Sequence, residues 1–530
     1  MRTTLRNSLI HPFSGCDLNS LIDARAAARG AHDLLIFEPF DGQTRRWTYA
    51  EFAWDTRQIA AGLARRGIRA GDRVLVHMEN CPETILAWYA IARLGAIALT
   101  TNTRAAGPEL EYFAEHAGAS AAITQPEFAE LVNANCRSLR WIAVTDNNGG
   151  EPAGLGHTTS EDSFAALYGD ASAFEPIAAD PMRELGIQYT SGTTSRPKGV
   201  VWTHANALWG FRTNALHTGT RGDDVHMLHM PLFHTNAQAY SFGAALYAGG
   251  TCVVMPRFSA SRFWSVSLKH KCTWASMIPF CVRALMAHDV PSQHQYRMWG
   301  GGVCEPPTDA HFRVRTLGWW GMTETMTHGI VGDVYQPNRS MMIGKAAPEY
   351  GIAINRDDGT PVEPGEVGHL LVQGTPGLSL FKEYLHNVEA TEAAFDAHGW
   401  FITGDRVILH DDGFIQFSDR DKDMLRVGGE NVAASEIERV ILAVPGIAEC
   451  AVVAKSDAMR DEVPVAFVLP DAGVGAAPAG LPDKIIAACA AQLADFKVPV
   501  EVRLVDDFPR STLEKIAKAQ LRAQLDGTHG

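Results

Sequence analysis

No two cysteines in the 530-residue chain stand in a CxxC spacing, and the nine that occur are scattered from Cys16 to Cys489. An odd, irregular set gives no disulfide framework and no zinc ribbon; it fits free thiols in a reducing compartment, with the cytoplasm as the default expectation. No apolar run is fit to cross a membrane. The most apolar stretch, 85–99, is broken by Arg93, and the opening MRTTLRNSLIHPFSG lacks a signal-peptide core. Basic residues are short of acidic ones, 46 against 60, and the net charge of −14 argues against a nucleic-acid surface. Internal repeats and a Walker A spacing are both absent. His226, His229 and His234 lie close in sequence, but no carboxylate or cysteine completes a metal-ligand pattern around them, which leaves interior histidines as the competing reading.

What is present suits a soluble α/β protein of two or more domains, because 530 residues exceed what one core organises. Helical patterns at 47–67 and 82–94 alternate with short apolar runs at 73–77, 97–100 and 251–255, which predicts layered α/β structure. The polar stretch 146–162 reads as an exposed loop. From 365 to 416 the pattern turns to short strands, as in GEVGHLLVQG and DGFIQFSD. The predicted organisation is therefore a large N-terminal domain, 1–420, of layered α/β subdomains plus a β-rich part, followed by a small α+β domain, 421–530.

Chemistry gathers first in TSGTTSRPKG, 190–199. Leu185, Ile187 and Tyr189 alternate with smaller or polar residues, so the stretch leaves a strand as a loop. Glycines bring backbone N–H groups near an anion, hydroxyls add donors, and Lys198 supplies a compact cation, a combination that suits a polyphosphate.

Five further signals follow in order: PLFHTN (231–236), WWGMTET (319–325), WFITGD (400–405), SDRDKDMLRVGGEN (418–431) and FPRSTLEK (508–515). With all six in place, the chain resembles the adenylate-forming superfamily of acyl-CoA ligases, peptide-synthetase adenylation domains and luciferases. The wording SGTTSRPKG is similar to the carnitine and crotonobetaine CoA ligase subgroup. The resemblance implies ATP, Mg²⁺ and coenzyme A as co-substrates or cofactors, a carboxylic acid as the partner molecule, and a mobile C-terminal lid. It also leaves room for a homodimer. Thr190, Ser191, Gly192, Thr193, Thr194 and Lys198 would wrap the β- and γ-phosphates. Glu324 would hold Mg²⁺, and Thr323 would touch the α-phosphate. Adenosine would rest against Gly302, Val303, Trp320, Gly321 and Met322, with Asp405 on the ribose hydroxyls and Arg420 on sugar or phosphate. Lys515 would bridge the attacking carboxylate and the α-phosphate. Lys422 would be the hinge, and Gly428, Gly429, Glu430 and Asn431 would border the coenzyme A tunnel. His234, Gly301, Val303, Cys304 and Trp319 would shape the acyl pocket, with core packing an equal reading for Trp319.

Three positions depart from the family pattern: Trp320 replaces a common tyrosine, and Ser195 and Glu514 replace usual glycines. Val303, Cys304 and Trp319 are bulky for their places, which points to a small or medium acid. Activation of a carboxylate requires neutralised phosphates and an acyl-adenylate before a thiol can attack. The expected activity is thus an AMP-forming acid–thiol ligase. Two rivals remain: an adenylation enzyme that loads a carrier-protein thiol, and a non-catalytic nucleotide-binding relative.

Overall fold

A computed structural model describes residues 11–153, 162–190, 197–304, 306–420, 423–427, 430–457, 460–471, 480–493, 495–510 and 515–526. Two compact units emerge: residues 1–352 with 372–401, and residues 353–371 with 402–530. The second unit thus groups the C-terminal segment with 353–371 and 402–420, while 372–401 go with the first unit; the sequence reading places a domain boundary at 420/421.

The first unit is built on two sheets. One has seven strands, in the order Glu383–Tyr384, Lys198–Thr203, Glu184–Thr190, Ile97–Thr100, Arg73–His77, Ala119–Thr124 and Ile142–Val144. Its centre is parallel, from Glu184–Thr190 through Ile142–Val144. Parallel strands are covered on both faces, which is why Ile97–Thr100 is a run of buried residues without alternation. The other sheet has nine strands and is parallel from Asp33–Phe37 to Thr316–Gly321, with antiparallel strands at both edges.

The helical pattern at 47–67 forms the helix Tyr49–Arg65, and its start is set by a capping box. The Thr48 hydroxyl accepts the Glu51 N–H while the Glu51 carboxylate accepts that of Thr48. The helix Pro82–Arg93 is buried along its whole length. Arg93, which breaks the apolar stretch, is held by Thr56 Oγ1 at 2.8 Å and Asp23 Oδ1 at 3.0 Å, so its charge is paired inside rather than exposed. Within 146–162, Asn147–Asn148 and Glu151–Pro152 pair as a short hairpin, an ordered element where the sequence suggests only a loop. Residues 154–161 lie outside the described residues.

Gly351–Asn355, Val367–Gln373, Phe401–Leu409 and Ile415–Arg420 form a four-stranded sheet, most of whose residues belong to the second unit. A separate five-stranded sheet carries the long hairpin Ile447–Asp457 and Asp461–Pro470, on which the helices Ala434–Leu442 and Leu481–Gln492 pack through Ile437, Ile441, Ile485 and Cys489. Each fully buried Leu, Ile or Val contributes about 1.5–3 kcal/mol, which gives this small layer a core of its own.

Candidate active site

Strands Glu184–Thr190 and Lys198–Thr203 form the two arms of an antiparallel hairpin, with Thr190 opposite Lys198. Ser191, Gly192, Thr193, Thr194 and Ser195 lie outside the described residues. The far side of the hairpin is fixed by the strand Glu383–Tyr384, which pairs Tyr384 with Val200. That register carries the Tyr384 ring to the Lys198 ammonium, 4.7 Å from the ring centroid.

The turn that bears Thr323 and Glu324 is keyed to the same strands. The Trp202 indole N–H donates to the Thr323 carbonyl at 2.9 Å, and the Phe381 N–H donates to the Glu324 carbonyl at 2.7 Å. Glu324 is only 4% exposed, and its Oε1 accepts the Tyr384 hydroxyl at 2.9 Å. Thr325 closes the turn, its hydroxyl accepting the Met322 N–H at 3.0 Å. Gly321 has no alternative here, because an added Cβ would meet the Tyr240 hydroxyl at 2.4 Å. Lys198, Thr323 and Glu324, 125 positions apart in the chain, are thus gathered by the edge of one sheet and one turn. Tyr384 is the residue that sequence reasoning missed. It lies in FKEYLHN, where a single tyrosine between Glu383 and Leu385 carries no motif signal of its own.

Behind this turn, Trp320 is buried and lies opposite Ile330, and the Trp319 ring occupies the space beside Gly300. A Cβ at 300 would fall 1.7 Å from the Trp319 ring. Trp319 lies between Trp274, with centroids 6.1 Å apart, and His328, stacked at 4.5 Å and 15°. His328 is fully buried, and burial drives its pKa far below the usual histidine value, so the ring is neutral and packs as an aromatic. Gly301 and Val303 are half-buried, Gly302 is exposed, and Cys304 is buried, its backbone exchanging hydrogen bonds with Met341 and Met342. Cys304 also borders a cleft of about 450 Å³ with Asp309, Arg315 and Asn338.

His234 is half-buried and stands at the start of the segment that continues into the π-helical turn Asn236–Gly243. The turn before it is held by Asn80, which accepts the Leu232 N–H at 2.7 Å and donates to the Met230 carbonyl. His226 and His229 are interior: His226 stacks on Trp274 at 4.5 Å, and His229 lies against Phe258 and Phe263. Burial lowers both to about 3.

The remaining candidates belong to the second unit. Asp405 is buried on the strand Phe401–Leu409, opposite Arg420, and its N–H donates to Thr403 Oγ1. For Arg420, Glu430 and Asn431 the backbone alone is described; Lys422, Gly428, Gly429 and Glu514 lie outside the described residues. Lys515 is exposed. Its segment is anchored on both sides, by Arg510 on Glu449 at 3.2 Å and by Lys518 on Glu438 at 2.8 Å.

Residues 22–385 match the AMP-binding enzyme family and residues 436–515 match its C-terminal domain. The chain belongs to the AMP-binding enzyme family. Among its relatives is the crotonobetaine/carnitine–CoA ligase of Salmonella agona, 35% identical over 96% of this chain and 99% of that protein. The ATP-bound MatB of Rhodopseudomonas palustris superposes with a TM-score of 0.84 at 26% identity, covering 97% of this chain and 100% of the other. The O-succinylbenzoate coenzyme A synthetase of Bacillus subtilis in complex with ATP and magnesium ion gives 0.81 at 26% identity, over 96% and 99%. The large domain and small C-terminal domain of this AMP-binding enzyme are those of its relatives.

Proposed function

We propose that this chain is an ATP-dependent, AMP-forming acyl-CoA ligase for a small or medium carboxylic acid. The observation that carries the reading is the convergence of Lys198 and Glu324 on Tyr384 at the base of the hydroxyl-rich hairpin, with Thr323 held next in the chain by the Trp202 indole. A cation on one side and a buried carboxylate on the other suit a polyphosphate with its counter-ion. The single carboxylate fits Mg²⁺, which takes one or two protein carboxylates and completes its shell with water and substrate phosphates. No group of three or more His, Cys, Asp or Glu among the described residues forms a cage of its own. When bound, Mg²⁺ would neutralise phosphate charge.

In this reading, residues 190–194 and Lys198 hold the β- and γ-phosphates, while Gly302, Val303, Trp320, Gly321 and Met322 border adenosine. Asp405 and Arg420 take the ribose. Lys515 offsets the repulsion between the acid's carboxylate and the α-phosphate as the acyl-adenylate forms and pyrophosphate departs. Rotation of segment 421–530 about Lys422 then replaces Lys515 with the 428–431 loop, and the coenzyme A thiolate attacks the acyl carbonyl with AMP as leaving group. His234 stands between acid and thiol. The Trp319 ring, braced by Gly300, Trp274 and His328, floors the acyl pocket and keeps it short, which admits a carnitine-like acid of the kind named in the Salmonella relative. A cytoplasmic homodimer completes the proposal, with sedimentation as its check.

The test is a panel of short, branched, hydroxylated, quaternary-ammonium and long-chain acids with ATP, Mg²⁺ and coenzyme A, scored by AMP release and thioester mass. Acyl-CoA from the short members supports the reading. Pyrophosphate exchange without acyl-CoA would point to a carrier-protein acceptor, and ATP binding without AMP to a non-catalytic relative.

A further inference from the structure

Tyr384 makes two contacts that no structural role requires of it together. Its hydroxyl donates to Glu324 Oε1 at 2.9 Å, and its ring face carries the Lys198 ammonium at 4.7 Å. The residue lies in the strand Glu383–Tyr384 at the outer edge of the seven-stranded sheet, in register with Val200 two positions from Lys198. The adjoining backbone is fastened to both partners: the Phe381 N–H donates to the Glu324 carbonyl, the Lys382 N–H to that of Val201 and the Leu385 N–H to that of Gly199. The strand is a strap with the phosphate hairpin on one side and the acidic turn on the other, and Tyr384 is its only side chain among the described residues recorded as touching both charged groups. A packing role would be filled by phenylalanine.

We propose that Tyr384 is the positioning residue that couples Lys198 to Glu324, orienting the carboxylate for the phosphate-bound cation through its hydroxyl and holding the ammonium at the phosphates through its ring. The inference rests on the ligase reading above, which assigns Glu324 to Mg²⁺ and Lys198 to phosphate. The two halves of the side chain make separable contributions. A hydrogen bond that orients a metal-ligating carboxylate typically changes metal affinity about 10- to 100-fold. A cation over an aromatic face contributes with no metal present.

The experiment is calorimetric binding of ATP, without any acid, to the parent, Tyr384→Phe and Tyr384→Leu, at free Mg²⁺ from zero to tens of millimolar. Tyr384→Phe should need about tenfold more free Mg²⁺ to reach half of the Mg²⁺-dependent gain in affinity, while its Mg²⁺-free ATP affinity matches the parent. Tyr384→Leu should show the same Mg²⁺ shift and, in addition, a several-fold loss of Mg²⁺-free affinity. Superimposed Mg²⁺ curves for parent and Tyr384→Phe would overturn the positioning role with the ligase reading intact. A parent that binds no ATP at any Mg²⁺ concentration would overturn the ligase reading itself.

Discussion

Burial bears on single side chains of this protein in different ways. Glu324, nearly closed to solvent, accepts the Tyr384 hydroxyl at its carboxyl group, while the Phe381 N–H holds its backbone carbonyl. Glu324→Gln preserves shape and removes the charge; it should lower acyl-adenylate formation on the order of 10²-fold or more, measured by pyrophosphate exchange. His229 is the reverse case. Burial alone pushes it down to about 3, so the folded state excludes a proton that the unfolded chain binds below about 6.5. Its neutral state therefore costs nothing above the unfolded value, and stability falls as pH drops from about 6.5 toward 3. At pH 5 the loss from this group is about 2 kcal/mol, an order-of-magnitude figure. Urea midpoints at pH 7.5 and pH 5 should differ less in His229→Phe than in the parent; an unchanged pH dependence would contradict the assignment. Trp319 belongs to the same scale. Trp319→Ala should open the acyl pocket and move the AMP-release optimum toward longer acids, at a stability cost of about 3–5 kcal/mol. The ring's burial was open between core and pocket from sequence, since a tryptophan next to another tryptophan signals only bulk; its brace, Gly300, becomes legible only when the two strands are paired.

Among the elements, the strand Glu184–Thr190 and the helix Tyr49–Arg65 were readable because their signals are local: alternation at 185, 187 and 189, and apolar residues three and four apart within 47–67. The strap at 381–385 was not. Its importance comes from pairings with segments more than 50 and 180 residues away, and neither periodicity nor composition encodes such distances. The helix Ala434–Leu442 shows the same limit. Its N-cap residue, Ala433, offers no side-chain cap, and the Ser435 N–H is taken instead by Asp419 Oδ2 at 3.1 Å, from the strand Ile415–Arg420. Asp419→Ala should destabilise the C-terminal layer by about 1 kcal/mol, the usual worth of a lost cap. Hydrogen exchange across 434–442 measures it, and unchanged protection there would show that the cap is idle.

In the whole molecule the proposed site residues fall in two units, with Lys198, Thr323 and Glu324 in the first and Asp405, Arg420 and Lys515 in the second. The six ordered motifs made the family legible by resemblance, and the alternation of helical patterns with short apolar runs made the α/β class legible. Neither signal shows that 353–371 and 402–420 group with the C-terminal segment, because that grouping is made by tertiary contacts such as that of Asp419 with Ser435. If segment 421–530 must rotate about Lys422, then Lys422→Pro, by restricting φ, should let acyl-adenylate accumulate while slowing thioester formation. Rapid quench with mass detection of both species follows it, and parallel loss of both steps would argue against the hinge. The central claim is that the Lys515 ammonium enables two anions to react. Its most direct measurement is single-turnover adenylate formation by Lys515→Ala with ATP, Mg²⁺ and the preferred acid. The account predicts a rate lower by about 10²-fold or more; a rate equal to the parent's would contradict it.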